Sequence, residues 1–284
     1  MVGKIETDSG QFNAARWDGN EWELIQIERL VDFDCVFGFD NNDIWFSDGC
    51  YIYLYNGSEF IKKWECDWET YGTGQVNRIW GASSANIFFV GNNGSIIHHN
   101  GSTFTRVESS TNVDLTDVWG CSDNEIWAAG REYNKSVILR YNGSSWVTFY
   151  EWDSSLDEYI IPQEELLLSI SSIWTTPYMD SLIAVGAWGV FTVSKQTGKA
   201  RWSYQRRWDW DPSTIGYPLR VRGRAANDVF VSGKRGTILH FNGKNWKHYY
   251  DFYEPGGIWL RGIGLSNRTA YFAGANLVIK AIKQ

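Results

Sequence analysis

The sequence predicts an all-β fold, a six-bladed β-propeller of four-stranded antiparallel blades, and three observations carry that prediction. A segment of the form V/I-W-G-x-S-x-N-D-I-F/W-x-V-G, followed by G-x-I-L-H-x-N-G-S-x-W, recurs down the chain, most clearly from Arg78, Asp117 and Arg220. A repeat of roughly 40 residues built of short strands signals a propeller. Among 284 residues, 17 Trp, 15 Tyr, 15 Phe and 28 Gly suit strands joined by tight turns, and runs of strong helix formers are scarce. The apolar share, 43%, suffices for a large core.

Each copy divides into four strands, with a residue-level reason for every break. The first strand carries Val36-Phe37, Ile79-Trp80, Val118-Trp119, Ile173-Trp174, Val221-Arg222 or Leu260-Arg261, usually ended by Gly. A polar turn leads to an apolar second strand, such as Asn86-Ile87-Phe88-Phe89 or Asp228-Val229-Phe230-Val231, which stops at Gly91, Gly130, Gly186, Gly233 or Gly274. A small residue permits the bend there. The third strand runs into Asn56-Gly57, Asn100-Gly101, Asn142-Gly143 or Asn242-Gly243, hairpin signals because positive φ is tolerated. The fourth opens with an aromatic residue: Phe60, Phe104, Trp146, Trp202 or Trp246.

First-strand positions Phe37, Trp80, Trp119, Trp174, Arg222 and Arg261 are spaced 43, 39, 55, 48 and 39 residues apart, giving six copies. One domain over 1–284 is expected, with blades at 32–65, 76–109, 115–152, 170–205, 218–252 and 257–284. The sixth copy holds three strands, while residues 12–27 contain a hairpin, Ala15 to Leu24, matching a third-to-fourth-strand turn. The last blade is therefore expected to be closed by N- and C-terminal strands, which hides the sheet edges.

Composition excludes some partners. A formal net charge of −7 leaves no basic face for a phosphate backbone, so no nucleic acid and no anionic membrane is expected. No stretch approaches the ~20 apolar residues of a membrane span, and the polar start from Met1 to Gly10 is not a secretory signal. Cys35, Cys50, Cys66 and Cys121 form no C-x-x-C pair, against a zinc ribbon or thioredoxin-type site. Cys50 and Cys66 bracket one hairpin; a disulfide and two free half-buried thiols are equally open there. Of His98, His99, His240 and His248, most fall in third-strand columns and are expected to pack. No metal-ligand spacing, nucleophile elbow, P-loop or dinucleotide fingerprint occurs, so no metal, cofactor or catalytic residue is assigned.

At these motifs the chain resembles bacterial secreted propeller repeats of the S-x-N-D-V/I-W-x-V-G type, loosely similar to the Asp-box repeats of sialidases and photosystem assembly factors. The resemblance covers almost the whole chain and implies the fold and an extracellular, periplasmic or cell-surface location. It does not imply sialidase activity. The hairpin turns at Asn56, Asn100, Asn142 and Asn242 are shorter than an Asp box, and no arginine triad facing a Tyr-Glu pair can be assembled.

Repeat columns are structural by default, and nine tryptophans fall in them: Trp22, Trp45, Trp80, Trp119, Trp127, Trp146, Trp174, Trp202 and Trp246. Trp68, Trp152, Trp208 and Trp210 lie instead in long connections from a fourth strand to the next first strand. Acids and Tyr71 accompany them there, as in Trp208-Asp209-Trp210-Asp211 and Glu151-Trp152-Asp153. Function resides most often on such loops. Arg78, Arg222 and Arg261, with Arg220, belong to first strands facing a central channel, or pair with acids such as Asp117. The segment 163–168 reads as a short helix. The sequence thus predicts a non-catalytic monomeric binding propeller whose aromatic and acidic top face takes a carbohydrate or a protein. The alternative is a carbohydrate-active enzyme, a glycoside hydrolase or lyase, with acids on those loops.

Overall fold

A computed structural model of the chain describes residues 2–27, 33–66, 75–153, 169–205, 216–252, 257–274 and 277–282. Every regular element among them is a β-strand except one 3-10 turn, Tyr250–Phe252. Strands β1 (Val2–Thr7), β2 (Gly10–Trp17) and β3 (Trp22–Ile25) form one sheet in that order. The next sheet holds β4 (Cys35–Asp40), β5 (Asp43–Ser47), β6 (Tyr51–Tyr55) and β7 (Phe60–Glu65). It is followed by β8 (Val76–Ser83), β9 (Asn86–Gly91), β10 (Ile96–His99) and β11 (Phe104–Val107). Then come β12 (Leu115–Ser122), β13 (Glu125–Arg131), β14 (Lys135–Tyr141) and β15 (Trp146–Asp153). The fifth sheet is β16 (Ser172–Trp174), β17 (Ser181–Gly186), β18 (Gly189–Ser194) and β19 (Ala200–Gln205). The sixth is β20 (Pro218–Ala225), β21 (Asp228–Gly233), β22 (Ile238–Phe241) and β23 (Trp246–His248). The seventh is β24 (Leu260–Leu265), β25 (Thr269–Gly274) and β26 (Leu277–Ile282).

Each sheet is an antiparallel meander of sequence neighbours, the blade of a propeller, and the described residues form seven of them, so the six-bladed expectation is corrected. The terminal strands do not share a blade. The Trp17–Trp22 hairpin does form, but β1 occupies the other edge of β2 (Ile5↔Phe12, Thr7↔Gly10), so the N-terminal residues build a sheet of their own. The C-terminal strands make a separate three-stranded sheet.

The chain resolves into two compact units, 1–118 and 119–284. In the first, Trp45, Ile52, Val76, Ile87, Phe89 and Ile97 share one core, so the rings of one blade pack on the strands of the next. Trp45 meets Phe89, His99 and Phe104 at ring-centroid distances of 5.9, 5.1 and 6.2 Å. In the second, Trp127 packs with Ile138, Ile173, Ala184 and Phe191, and Trp174 with Val185, Val221 and Val231. The column tryptophans Trp45, Trp127, Trp146 and Trp174 are buried, whereas Trp22 is half-exposed.

The Asn-Gly turns work differently from the sequence expectation. Positive φ falls on Gly57 (96°), Gly101 (92°), Gly143 (96°) and Gly243 (92°), not on the asparagines. Each Asn instead accepts two backbone N–H bonds through Oδ1, as Asn142 does from Ser144 and Ser145 at 3.0 Å. Asp18 does the same for Asn20 and Glu21 at 2.7 and 2.8 Å.

Candidate functional site: a cation and aromatic row on unit 119–284

In these meanders the first and third strands begin, and the second and fourth end, at the same end of the blade. In unit 119–284 that end carries Arg131 at the end of β13, Ser169 before β16, Tyr217 before β20, Lys234 after β21 and Trp259 before β24. Consecutive blades hand these side chains to one another. Arg131 Nη1 donates to Ser169 Oγ at 3.1 Å and to the Tyr217 hydroxyl, and its guanidinium lies 5.3 Å from the Tyr217 ring centre. The Tyr217 hydroxyl in turn lies 2.7 Å from Ser169 Oγ and donates to Ser169 O at 3.0 Å. Lys234 Nζ stands 3.9 Å from the centre of the Trp259 ring and 5.5 Å from that of Tyr217. Arg261 completes the row, 4.9 Å from the same Trp259 ring.

Local structure fixes these positions. Gly236, at φ +68°, donates its N–H to Ile258 O at 2.9 Å, and Lys234 and Trp259 form an isolated antiparallel bridge. The backbone thereby holds the Lys234 stem beside the indole. A cation over an aromatic face gains about 0.5–1 kcal/mol when exposed and more when desolvated. The row therefore stays ordered while Trp259, 38% exposed, keeps ring surface toward solvent.

The sequence-predicted residues distribute as follows. Trp68, Tyr71, Trp208, Asp209, Trp210 and Asp211 lie outside the described residues, as does the helix expected at 163–168. Trp152 is half-buried at the end of β15, paired across to Ser136. Arg78 and Arg222 tie neighbouring first strands together. Arg78 donates to Asp34 O (3.2 Å) and Asn77 O (2.8 Å) and stands 3.9 Å from the buried Asp117 carboxylate. Arg222 donates to Ser172 Oγ (3.2 Å), Ile173 O (3.3 Å) and Val221 O (2.7 Å), and lies 4.8 Å from the Trp119 ring centre. Of the three arginines, only Arg261 joins the row. Cys50 and Cys66 are joined by a disulfide, Cα–Cα 5.1 Å, where β6 begins and β7 has just ended. Burial pushes the Cys35 thiol up to about 12, as befits a packed, unreactive side chain.

Sequence reasoning missed Arg131, Ser169, Tyr217, Lys234 and Trp259. A signal existed in the repeat: the turn after the second strand is Asn92-Asn93-Gly94 in one blade and Lys234-Arg235-Gly236 in another, and Trp259 stands where the preceding blade has Tyr217, one residue ahead of a first strand that begins opposite the closing Gly of the second.

No family model matches the chain, and no curated protein matches it by sequence. Solved structures that share its fold are β-propellers. YCF48 bound to D1 peptide superposes with a TM-score of 0.69 at 14% identity, covering 100% of this chain and 87% of that one. A catalytically inactive virginiamycin B lyase from Staphylococcus aureus with quinupristin gives 0.64 at 14%, covering 98% and 93%. The extracellular domain of a putative one-component system from B. thetaiotaomicron gives 0.64 at 10%, covering 89% of this chain and 35% of that one.

Proposed function

We propose that this chain is a polypeptide-binding propeller that presents the blade ends of unit 119–284 to an extended segment of a protein partner. The observation that carries the reading is the row Arg131, Tyr217, Lys234, Trp259 and Arg261, in which three cations alternate with two rings along successive blades. Cations at this spacing meet carbonyl and carboxylate oxygens of a peptide, and ring faces between them take its side chains. Aromatic and Arg anchors are the residue types that dominate binding energy at protein interfaces. Support also comes from a propeller of the same fold whose solved structure holds a peptide. The disulfide and the extracellular domains among the structural neighbours support a location outside the cytoplasm.

The test is fluorescence anisotropy against a panel of labelled ten-residue peptides carrying paired acidic and aromatic residues. Trp259→Ala and Lys234→Ala should each weaken the best binder by about tenfold or more. Tyr178→Ala, a 95%-exposed ring at the opposite end of the blades, should leave affinity unchanged. Equal affinity in all three variants removes the row from the function.

A further inference from the structure

Four turns carry the same tripeptide, Asn-Gly-Ser, at residues 56–58, 93–95, 100–102 and 142–144. An asparagine followed by glycine is open to one reaction in water, attack of the glycine nitrogen on the side-chain carbonyl carbon. In an unfolded chain the four sites share the neighbours that govern its rate. The fold makes them different.

At Asn56 and Asn142 three donors converge on Oδ1. Ser58 N and Glu59 N donate to Asn56 at 3.0 Å and Ser58 Oγ at 2.9 Å; Ser144 N and Ser145 N donate to Asn142 at 3.0 Å and Ser144 Oγ at 2.9 Å. Residues 56–59 and 142–145 are all exposed, so water reaches both amides, and glycine has no Cβ to screen its nitrogen. The other two sites hold the glycine nitrogen. Gly101 donates its N–H to His99 Nδ1 at 3.3 Å, while Ser102 N and Thr103 N meet Asn100 Oδ1 at 3.0 and 2.9 Å. At Asn93 the asparagine itself has φ 54° and donates its N–H to Asp114 Oδ1 at 2.8 Å, and the buried Gly94 donates its N–H to Val113 O at 3.0 Å. A nitrogen whose proton is held in this way is withheld from attack.

We infer that Asn56 and Asn142 are self-modifying sites, at which the turn promotes loss of the side-chain amide as ammonia. The Gly57 or Gly143 nitrogen gives its proton to water and bonds to the asparagine Cγ, the C=O electron pair moves onto Oδ1, and the three donors stabilise that oxyanion as they would in acyl transfer. The side-chain nitrogen then takes a proton from water, the Cγ–Nδ2 bond breaks as the pair returns, and ammonia departs. Water opens the cyclic imide at either carbonyl, giving aspartate or isoaspartate, so the one co-reactant is water and no redox change occurs. Each conversion adds one negative charge. The aspartate product suits the turn, because Asp18 already accepts Asn20 N and Glu21 N at 2.7 and 2.8 Å beside Gly19 at φ 117°. Those two donors hold the Asp18 carboxyl below the usual carboxylate value.

The test is peptide mapping by mass spectrometry of the whole chain incubated at neutral pH, with a folded sample and a reduced, urea-unfolded sample run in parallel. In the unfolded chain the four Asn-Gly-Ser sites should convert at a common rate. In the folded chain Asn56 and Asn142 should convert faster than that rate, and Asn100 and Asn93 slower. Ser144→Ala removes one donor and should lower the folded-to-unfolded rate ratio at Asn142 by about two- to tenfold, the worth of one hydrogen bond, while Asn56 in the same molecules is unmoved. Asn56 and Asn142 converting no faster in the folded chain than in the unfolded one would overturn the inference, because the donors would then only fix the turn. A ratio at Asn142 indifferent to Ser144→Ala would overturn it as well.

Discussion

Gly236 and Gly198 have nearly the same backbone, φ +68° and +71°, yet they are not equivalent. A Cβ on Gly236 would collide with the Phe252 carbonyl, whereas on Gly198 its nearest neighbour would be Phe149 O at 3.6 Å. Gly198→Ala should thus cost about 1 kcal/mol of conformational strain. Gly236→Ala should cost more than about 4 kcal/mol, because backbone has to move. Urea midpoints of the two variants check the ranking. The histidines add a pH dependence. Burial lowers the affinity of both His98 and His99 for a proton, His98 stacking 4.5 Å from Phe88 and His99 packing beside Trp45. Below the ordinary histidine value of 6.5 the unfolded chain binds more protons at these sites than the folded one, so stability falls as pH drops through 6.5 toward the lowered folded values. The loss of melting temperature between pH 7.5 and 5.5 should shrink in a His98→Gln/His99→Gln variant. That one of these two rings falls in a third-strand column was legible from the repeat, though not which of the two. The conformation of the Asn-Gly turns was not, since Oδ1 capping and positive φ are read from the same dipeptide.

Those turns act as elements. Asn142 Oδ1 caps two N–H groups, and Asn142→Ala should lower stability by about 1 kcal/mol. Asn142→Asp should change it by less than about 0.5 kcal/mol, because Asp18 already fills the role. Thermal melts of the two variants separate the explanations. The Cys50–Cys66 disulfide closes a sequence separation of 16, and Cys50→Ala/Cys66→Ala should cost about 3 kcal/mol, measured as a shift of the denaturant midpoint. The blade count also turns on one element, β1. Val2 and Ile5 are three residues apart, a spacing that puts two side chains on opposite faces of a regular strand and hides the period-2 signal. The register of β1 shifts between those two residues, so an irregularity restores both to useful positions. Without it the segment reads as polar, and the hairpin that follows is left to complete the other terminal blade.

At the scale of the whole molecule, fold and site were legible to different degrees for one physical reason. Core columns repeat because every blade meets the same neighbour, whereas the row at the blade ends is assembled from positions outside those columns that vary from copy to copy, Lys234 where another blade has Asn92 and Trp259 where the preceding blade has Tyr217. The chain carries 33 Asp and Glu against 26 Lys and Arg, yet the row at these blade ends is cationic. These two charge distributions act at different ranges. The Debye length is about 30 Å at 0.01 M salt and about 8 Å at 0.15 M. An anionic peptide approaching at low salt therefore feels the net charge of −7, and at physiological salt mainly the cations it touches. Its association rate should rise, by about twofold or more, between those two salt concentrations, opposite to the fall seen for oppositely charged partners. Its dissociation rate should rise as well, because contacts to Arg131, Lys234 and Arg261 are themselves screened. Stopped-flow kinetics over the salt series read both constants. An association rate that falls steadily with salt would mean that the local row, and not the net charge, steers the encounter.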